Sequence, residues 1–145
     1  MFSPADLALL MATVGASAMA AIGWVVQTTH YPAFLDVPPA RFRAFHQRHC
    51  RAFGWIVPAP ILLEVGGALW LAVDSPSVGL AAWAGLGLAL FGVVWTFAVS
   101  SPLHGRLASG WDEEAVRRLV STNLPRTVAW SLHAALGLAM ASGLV

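Results

Sequence analysis

Four of the five histidines in this 145-residue chain lie close to the ends of apolar runs, and they are His30, His46, His49 and His104. His46 and His49 are three residues apart, so they share one face of a helix. Metal-binding helical bundles combine such pairs with ligands from facing helices. Imidazole binds zinc, iron, copper and nickel. The spacing therefore predicts a transition-metal site with these four histidines as ligands.

The histidines alone leave the identity of the cofactor open. Iron is slightly favoured over copper and zinc, and haem b held by His30 or His49 opposite His104 is the alternative. Cys50 follows His49 directly, but adjacent residues point about 100° apart around a helix. We therefore interpret Cys50 as a small apolar residue and not as a ligand.

Two titratable residues, Glu64 and His133, lie inside apolar runs, about eight to ten residues from their ends. A charge near the middle of a bilayer costs several kcal/mol, and such residues are commonly functional and face a partner. We expect Glu64 and His133 to bond to each other. Their predicted role is catalytic, in binding substrate or relaying protons, and the alternative is a structural clasp between two helices.

Polar residues also form an edge on the first and last apolar runs. Gln27 lies three residues before His30, and Asn123, Arg126 and Trp130 recur at helical spacing. Lipid would penalise these edges, so they should face inward and line a polar cavity. Arg126 can bind an anionic or oxygen-bearing group. We predict Gln27, Asn123, Arg126 and Trp130 as substrate-binding residues.

The elements that position these residues follow from composition. Hydrophobic residues make up 58% and charged residues 10% of the chain, and the mean hydropathy is +0.71. Soluble domains average about 25% charged residues. Runs of about 20 apolar residues span a bilayer, and four qualify: 7–28, 53–73, 78–100 and 125–144. The sequence predicts one all-α domain, residues 1–145, folded as a four-helix transmembrane bundle.

Arginine distribution predicts the orientation. All eight basic residues are arginines, and they fall in the two segments 41–51 and 106–126. Cytoplasmic segments of membrane proteins are enriched in basic residues. The two arginine segments and the histidines are therefore expected on the cytoplasmic side, and both termini outside. The short connection 74–77 contains Pro76 and joins spans two and three as a hairpin.

The longer connections are predicted to be partly helical. Residues 40–51 should continue into span two, which becomes a long helix projecting into the cytoplasm and kinked at Pro58 and Pro60. Residues 112–120 should form a short lid helix over the cavity mouth, with acidic residues at its start. The net charge of +1 gives no indication of a nucleic-acid partner. The expected partners are the lipid bilayer and a hydrophobic small molecule, and homo-oligomerisation stays open.

Five segments carry a resemblance, and they are QTTHYP at 27–32, FHQRH at 45–49, residues 58–64, SPLH at 101–104 and NLPRTVAW at 123–130. In them the chain resembles a family of small bacterial four-span membrane proteins, which is distantly similar to the anthrone-oxygenase-like membrane proteins. Their last span also begins with Asn-x-x-Arg, matched here by Asn123 and Arg126. The resemblance implies a bacterial cytoplasmic membrane and chemistry on an aromatic or quinone-like substrate.

Three functions remain in competition at the level of sequence. The first is a metal-dependent oxidoreductase, oxygenase-like, acting on a small hydrophobic substrate at the histidine site. The second is an electron carrier with haem b. The third is a proton-coupled transporter or binding module that uses Glu64 and His133 at the midplane, although transporters commonly show internal repeats and none is evident here.

Overall fold

The computed structural model describes residues 3–74 and 79–145, and these residues form an all-helical fold. The helices are α1 (Pro4–Val25), α2 (Pro39–Ile56), α3 (Pro58–Asp74), α4 (Gly79–Trp95), α5 (Ser101–Ala108) and α6 (Glu113–Ala141). A π-helical turn, Val26–His30, continues α1, and a second, Thr96–Ser100, joins α4 to α5. A 3₁₀ turn, Pro32–Asp36, leads toward α2. The all-α prediction is confirmed.

Three helical stretches in the described part of the chain are long and apolar enough to cross a membrane. They are Pro4–Asp36, Pro39–Asp74 and Gly79–Ala108. Large apolar side chains such as Trp55, Leu62 and Leu80 are mostly exposed, as expected for a surface that meets lipid. The predicted fourth span, 125–144, lies mostly in α6, and α6 is not among these three stretches. That this segment crosses the membrane stays a prediction.

The long helices form a ring in which α1 packs on α3, α3 on α4, α4 on α6 and α6 on α1. Small residues make the α1–α3 contact close: Ala8, Ala12 and Ala16 are at most 3% exposed. A Cβ atom added at Gly67 would lie 2.5 Å from the backbone nitrogen of Ala12. The small residues of α1 therefore form a packing surface between helices.

The predicted long second helix is divided into two helices, α2 and α3, by a bend. α2 ends at Ile56, Val57 forms a bend, and α3 begins at Pro58. Pro58 and Pro60 lack the backbone N–H groups that would continue the helical ladder, which explains the position of the bend. The predicted hairpin connection, 74–77, lies outside the described residues apart from Asp74.

The prediction of a separate lid helix at 112–120 is wrong. α6 runs without interruption from Glu113 to Ala141, with Pro125 inside it. Its first turns are not a surface lid, because Val116 and Leu119 are fully buried against Phe34 and Leu107. Burial of this apolar face fixes the segment to the bundle, and one missing N–H at Pro125 does not outweigh it.

Candidate metal centre and adjoining cavity

The four predicted histidines meet at one end of the bundle, although they come from three parts of the chain. His30 ends the first π-helical turn, His46 and His49 lie on α2, and His104 lies on α5. The His104 ring is stacked 5.3 Å from that of His46 and 5.2 Å from that of His49, centroid to centroid. The His30 ring lies 4.9 Å from that of His49. The fold thus forms one imidazole cluster.

The two π-helical turns are part of this construction. Thr28 and Thr96 each turn their hydroxyl back to a backbone carbonyl four residues earlier, at 2.8 and 2.7 Å. Threonine side chains within helices commonly make such bonds to the carbonyl four residues earlier, often where the helix is bent. π-helical turns inside longer helices occur frequently at functional sites. Here one of them ends at His30, and the other ends four residues before His104 and leads into its helix.

Three donor atoms in the described residues lie close enough together to hold a metal ion: a nitrogen of His46, a nitrogen of His104 and the thiol of Cys50, all within 4.8 Å of one another. His46 Nε2 lies 3.0 Å from His104 Nδ1 and 3.6 Å from Cys50 Sγ. Metal–nitrogen bonds of about 2.05 Å and metal–sulfur bonds of about 2.3 Å in a tetrahedron place nitrogens about 3.3 Å apart, and nitrogen about 3.6 Å from sulfur. The His46–Cys50 distance agrees with that geometry, and the His46–His104 distance is about 0.3 Å shorter than it.

Cys50 is the residue for which the sequence interpretation and the geometry differ. Its orientation relative to His49 argued against a ligand, but His46 and Cys50 are four residues apart and share a face of α2. That i, i+4 spacing is the signal that could have identified it. The side chain is exposed at the cluster's edge, so the thiol is accessible.

Hydrogen bonds from other groups orient the cluster. The Tyr31 hydroxyl lies 3.0 Å from His104 Nε2, on the side of the ring away from His46. His30 Nε2 lies 2.8 Å from His49 Nδ1. Metal-binding histidines typically bond through their second nitrogen in this way, which fixes the ring and its tautomer. Tyr31 was not singled out from sequence, because only the fold brings it to His104.

Aromatic side chains enclose the cluster on its protein side. Phe42 stacks on His46 with ring centroids 5.8 Å apart, and Phe34 packs edge-on against His49 at 5.2 Å. Phe34 and Phe42 are fully buried. The Phe53 and His49 ring centroids are 4.4 Å apart. An apolar surround of this kind excludes water and limits the movement of the imidazole rings.

A cavity of about 350 Å³ adjoins the cluster. Part of its wall is formed by residues of the cluster and its surroundings, namely Tyr31, His49, Cys50 and His104. Most of the remaining wall is apolar and includes Met19, Ile22, Val26, Phe53, Val57 and Ile61. Small-molecule sites are commonly about 300–1,000 Å³, apolar, and carry a few polar groups. The cavity therefore has the size and lining of a site for a small hydrophobic molecule.

The four predicted substrate-binding residues divide into two groups. Arg126 and Trp130 line the cavity, whereas Gln27 and Asn123 are not among its lining residues. Asn123 accepts a hydrogen bond from Arg126 Nη2 at 2.6 Å and donates to Gln27 at 3.0 Å. Gln27 also donates to the backbone carbonyl of Val120 at 3.2 Å. Gln27 and Asn123 thus support Arg126 from behind.

Glu64 and His133 form the contact that the sequence predicted. Glu64 Oε1 lies 2.8 Å from His133 Nδ1, and the residues are 0% and 4% exposed. They are not among the residues that line the 350 Å³ cavity. They lie one helical turn away from it, because Ile61 and Trp130, which do line it, are three residues before Glu64 and His133.

The chain was compared with family models, curated proteins and solved structures, and no relative was found. No family model matches the chain, and no curated protein and no solved structure shows significant similarity to it.

Proposed function

We propose that this protein is a membrane-embedded, metal-dependent oxidoreductase that acts on a small hydrophobic substrate. His46, Cys50 and His104 hold the metal, and the 350 Å³ cavity holds the substrate. The observation that carries the proposal is a three-donor set adjoining an apolar cavity that two of its members line. Three protein ligands with a free fourth position are typical of catalytic metal sites, whereas structural sites are fully coordinated by protein.

The chemistry of the donor set favours copper among the redox metals. Two imidazoles and a thiolate in trigonal arrangement are the ligands of copper electron-transfer sites, and thiolate is a soft ligand that selects copper or zinc over iron. The slight preference for iron came from histidines alone and did not include Cys50. Zinc in the same place would instead supply Lewis-acid chemistry, since it has no redox states.

Each residue around the centre has a separable task under this proposal. A copper ion held by His46, Cys50 and His104 would supply one-electron redox chemistry beside the cavity. Tyr31 holds the His104 ring in position through Nε2. His49 lines the cavity, and its Nδ1 lies 2.8 Å from His30, so this pair provides a path for a proton between the substrate and the bundle surface. The apolar wall around Phe53 excludes water.

The other two functions have less support in the geometry. An iron held by two imidazoles needs nitrogens about 4 Å apart with a flat macrocycle between them, since each metal–nitrogen bond is about 2 Å. The His49 and His104 rings instead stack with their centroids 5.2 Å apart, an arrangement that leaves no room for a macrocycle between their nitrogens. Transport through Glu64 and His133 would need access to a pair that is buried and apart from the cavity.

Metal analysis of the purified protein tests the proposal. We expect close to one equivalent of copper per chain after expression with copper, with a visible thiolate-to-copper charge-transfer band. Cys50→Ser should remove the band, and His104→Ala should remove most of the metal. Arg48→Ala is the matched control, because Arg48 is exposed on the same helix and should retain both. Wild-type protein that holds no stoichiometric transition metal under any loading condition would refute the metal centre.

A further inference from the structure

We infer that the cavity takes a molecule with an apolar body and a single ionised oxygen head, a carboxylate or a phenolate, and that Arg126 binds this head. This molecule would be the substrate of the proposed oxidoreductase. The inference rests on the proposed function only in calling the bound molecule a substrate. The binding itself depends on the cavity and on Arg126. It starts from the charge of one buried side chain.

Arg126 is a buried cation whose described partners are all neutral. The residue is 8% exposed. Nη1 donates to the Thr96 hydroxyl at 3.0 Å, Nη2 donates to the Asn123 side-chain oxygen at 2.6 Å, and the guanidinium lies 5.0 Å above the Trp130 ring. No carboxylate in residues 3–74 and 79–145 forms an ion pair with it. Arginine keeps its charge inside proteins, so among the described residues this buried guanidinium has no counter-charge.

The guanidinium also has unused hydrogen-bonding capacity. Its Nε–H is buried and has no partner among the described residues. Arginine donates five hydrogen bonds in a planar fork that matches carboxylate and similar oxygen groups. A buried donor without an acceptor is unfavourable and calls for an explanation. A ligand oxyanion in the adjoining cavity, which Arg126 lines, would supply the missing charge to the guanidinium.

The surrounding residues hold Arg126 in position before any ligand binds. Asn123 donates through Nδ2 toward Gln27 at 3.0 Å and Thr127 at 3.1 Å, which leaves its oxygen directed at Arg126. The Thr96 hydroxyl is itself tied to the Gly92 carbonyl at 2.7 Å. A charged group held this rigidly loses little conformational entropy when it binds an anion.

The rest of the lining defines the remainder of the ligand. Arg126 is the one member of the Asp, Glu, Lys and Arg class among the described lining residues, so the cavity matches one negative charge and not several. The walls near Ile22, Val57 and Ile61 are apolar and suit a hydrocarbon or aromatic body. Nucleotides and other polyanions do not fit this charge balance. The same cavity brings the body of the ligand to His104 and Cys50.

Binding of a charged and a neutral naphthalene tests the inference. The probes are 2-naphthoate and 2-naphthamide, which have almost the same shape and differ in charge. Titration calorimetry uses the full chain in lipid nanodiscs, with empty nanodiscs as blank. We expect wild-type protein to bind the carboxylate at least tenfold more tightly than the amide. Arg126→Gln should abolish that preference, and Arg117→Gln should keep it, because Arg117 is exposed and pairs with Glu113.

A second pair of measurements separates this inference from the metal centre. Binding of 2-naphthoate should persist after chelation of any metal, because the head is held by Arg126. Gly54→Phe should weaken binding of both probes, since Gly54 lines the cavity and a Cβ atom there meets open space. Equal binding of the two probes by wild type, or carboxylate binding that is lost on chelation yet kept in Arg126→Gln, would overturn the inference. Wild-type protein that takes up no metal under any loading condition, yet keeps the preference for the carboxylate, refutes only the oxidoreductase.

Discussion

The Glu64–His133 pair allows the sharpest test of the energetics of this bundle. It joins α3 to α6 through one hydrogen bond of 2.8 Å in a region from which water is excluded. The second carboxyl oxygen, Oε2, has no partner among the described residues. Removing one partner therefore leaves the other buried without a hydrogen bond, whereas replacing both with apolar side chains removes the requirement altogether.

The expected magnitudes follow from that asymmetry. His133→Leu leaves a buried carboxyl group unpaired and should cost about 3–5 kcal/mol. Glu64→Met leaves a buried imidazole unpaired and should cost about 1–3 kcal/mol. The double variant has about the same volume and no unpaired polar group, so it should cost about 1.5 kcal/mol or less. The two substitutions are then coupled by at least about 2 kcal/mol.

Thermal unfolding in one detergent at constant pH, followed by circular dichroism, measures these differences. A change of 1 kcal/mol corresponds to a Tm shift of about 2–4 °C for a chain near this length, so His133→Leu should lower Tm by on the order of 10 °C. Glu64→Gln is the matched control, because it keeps the shape and one oxygen acceptor. Effects of the two single substitutions that add up within about 0.5 kcal/mol would refute the reasoning, since independent sites behave that way.

Three further predictions concern other parts of the molecule. Tyr31→Phe removes the hydroxyl 3.0 Å from His104 and should weaken metal affinity by about 10–100-fold in a competition titration, without loss of fold. Gly67→Ala places a Cβ atom 2.5 Å from the backbone of α1 and should lower Tm, whereas Gly66→Ala meets open space and should not; equal Tm values would contradict the close packing. The pKa of Asp112 is lowered by a hydrogen bond from a backbone N–H in the first turn of α6 and, after it, by an arginine side chain. The stability that wild type gains over Asp112→Ala should therefore be complete above the unfolded pKa of about 3.9 and decline as the pH falls through the lower folded pKa. An advantage over Asp112→Ala that does not decline as the solution is acidified would contradict this assignment.

The candidate site shows how far helical periodicity carries a sequence argument. The pairing of Glu64 with His133 followed from two polar residues at similar depth in separate apolar runs, because such groups need a partner. The convergence of the four histidines followed from their positions near the ends of apolar runs, on the side that the arginine segments share. Both arguments use one dimension, the depth along the bundle, which the apolar runs define well.

Rotation about each helix axis is what the sequence did not define. Each π-helical turn takes up an additional residue and so changes which face the following residues present. His30 and Ser100 end such turns, and neither turn has a sequence signal. The partnership of Tyr31 with His104 depends on this rotation. So does the separation of Arg126, in the cavity wall, from Asn123 and Gln27 behind it.

By itself, the sequence determined an all-helical chain with apolar runs, a histidine-rich end and a buried acid–imidazole pair, because burial of apolar side chains and the needs of buried polar groups act along each helix. Tertiary structure decided that Cys50 joins His46 and His104, that α6 is continuous, and that a cavity lies beside the cluster. These features arise from contacts between residues far apart in the chain. Packing between helices sets the distances on which metal and ligand binding depend.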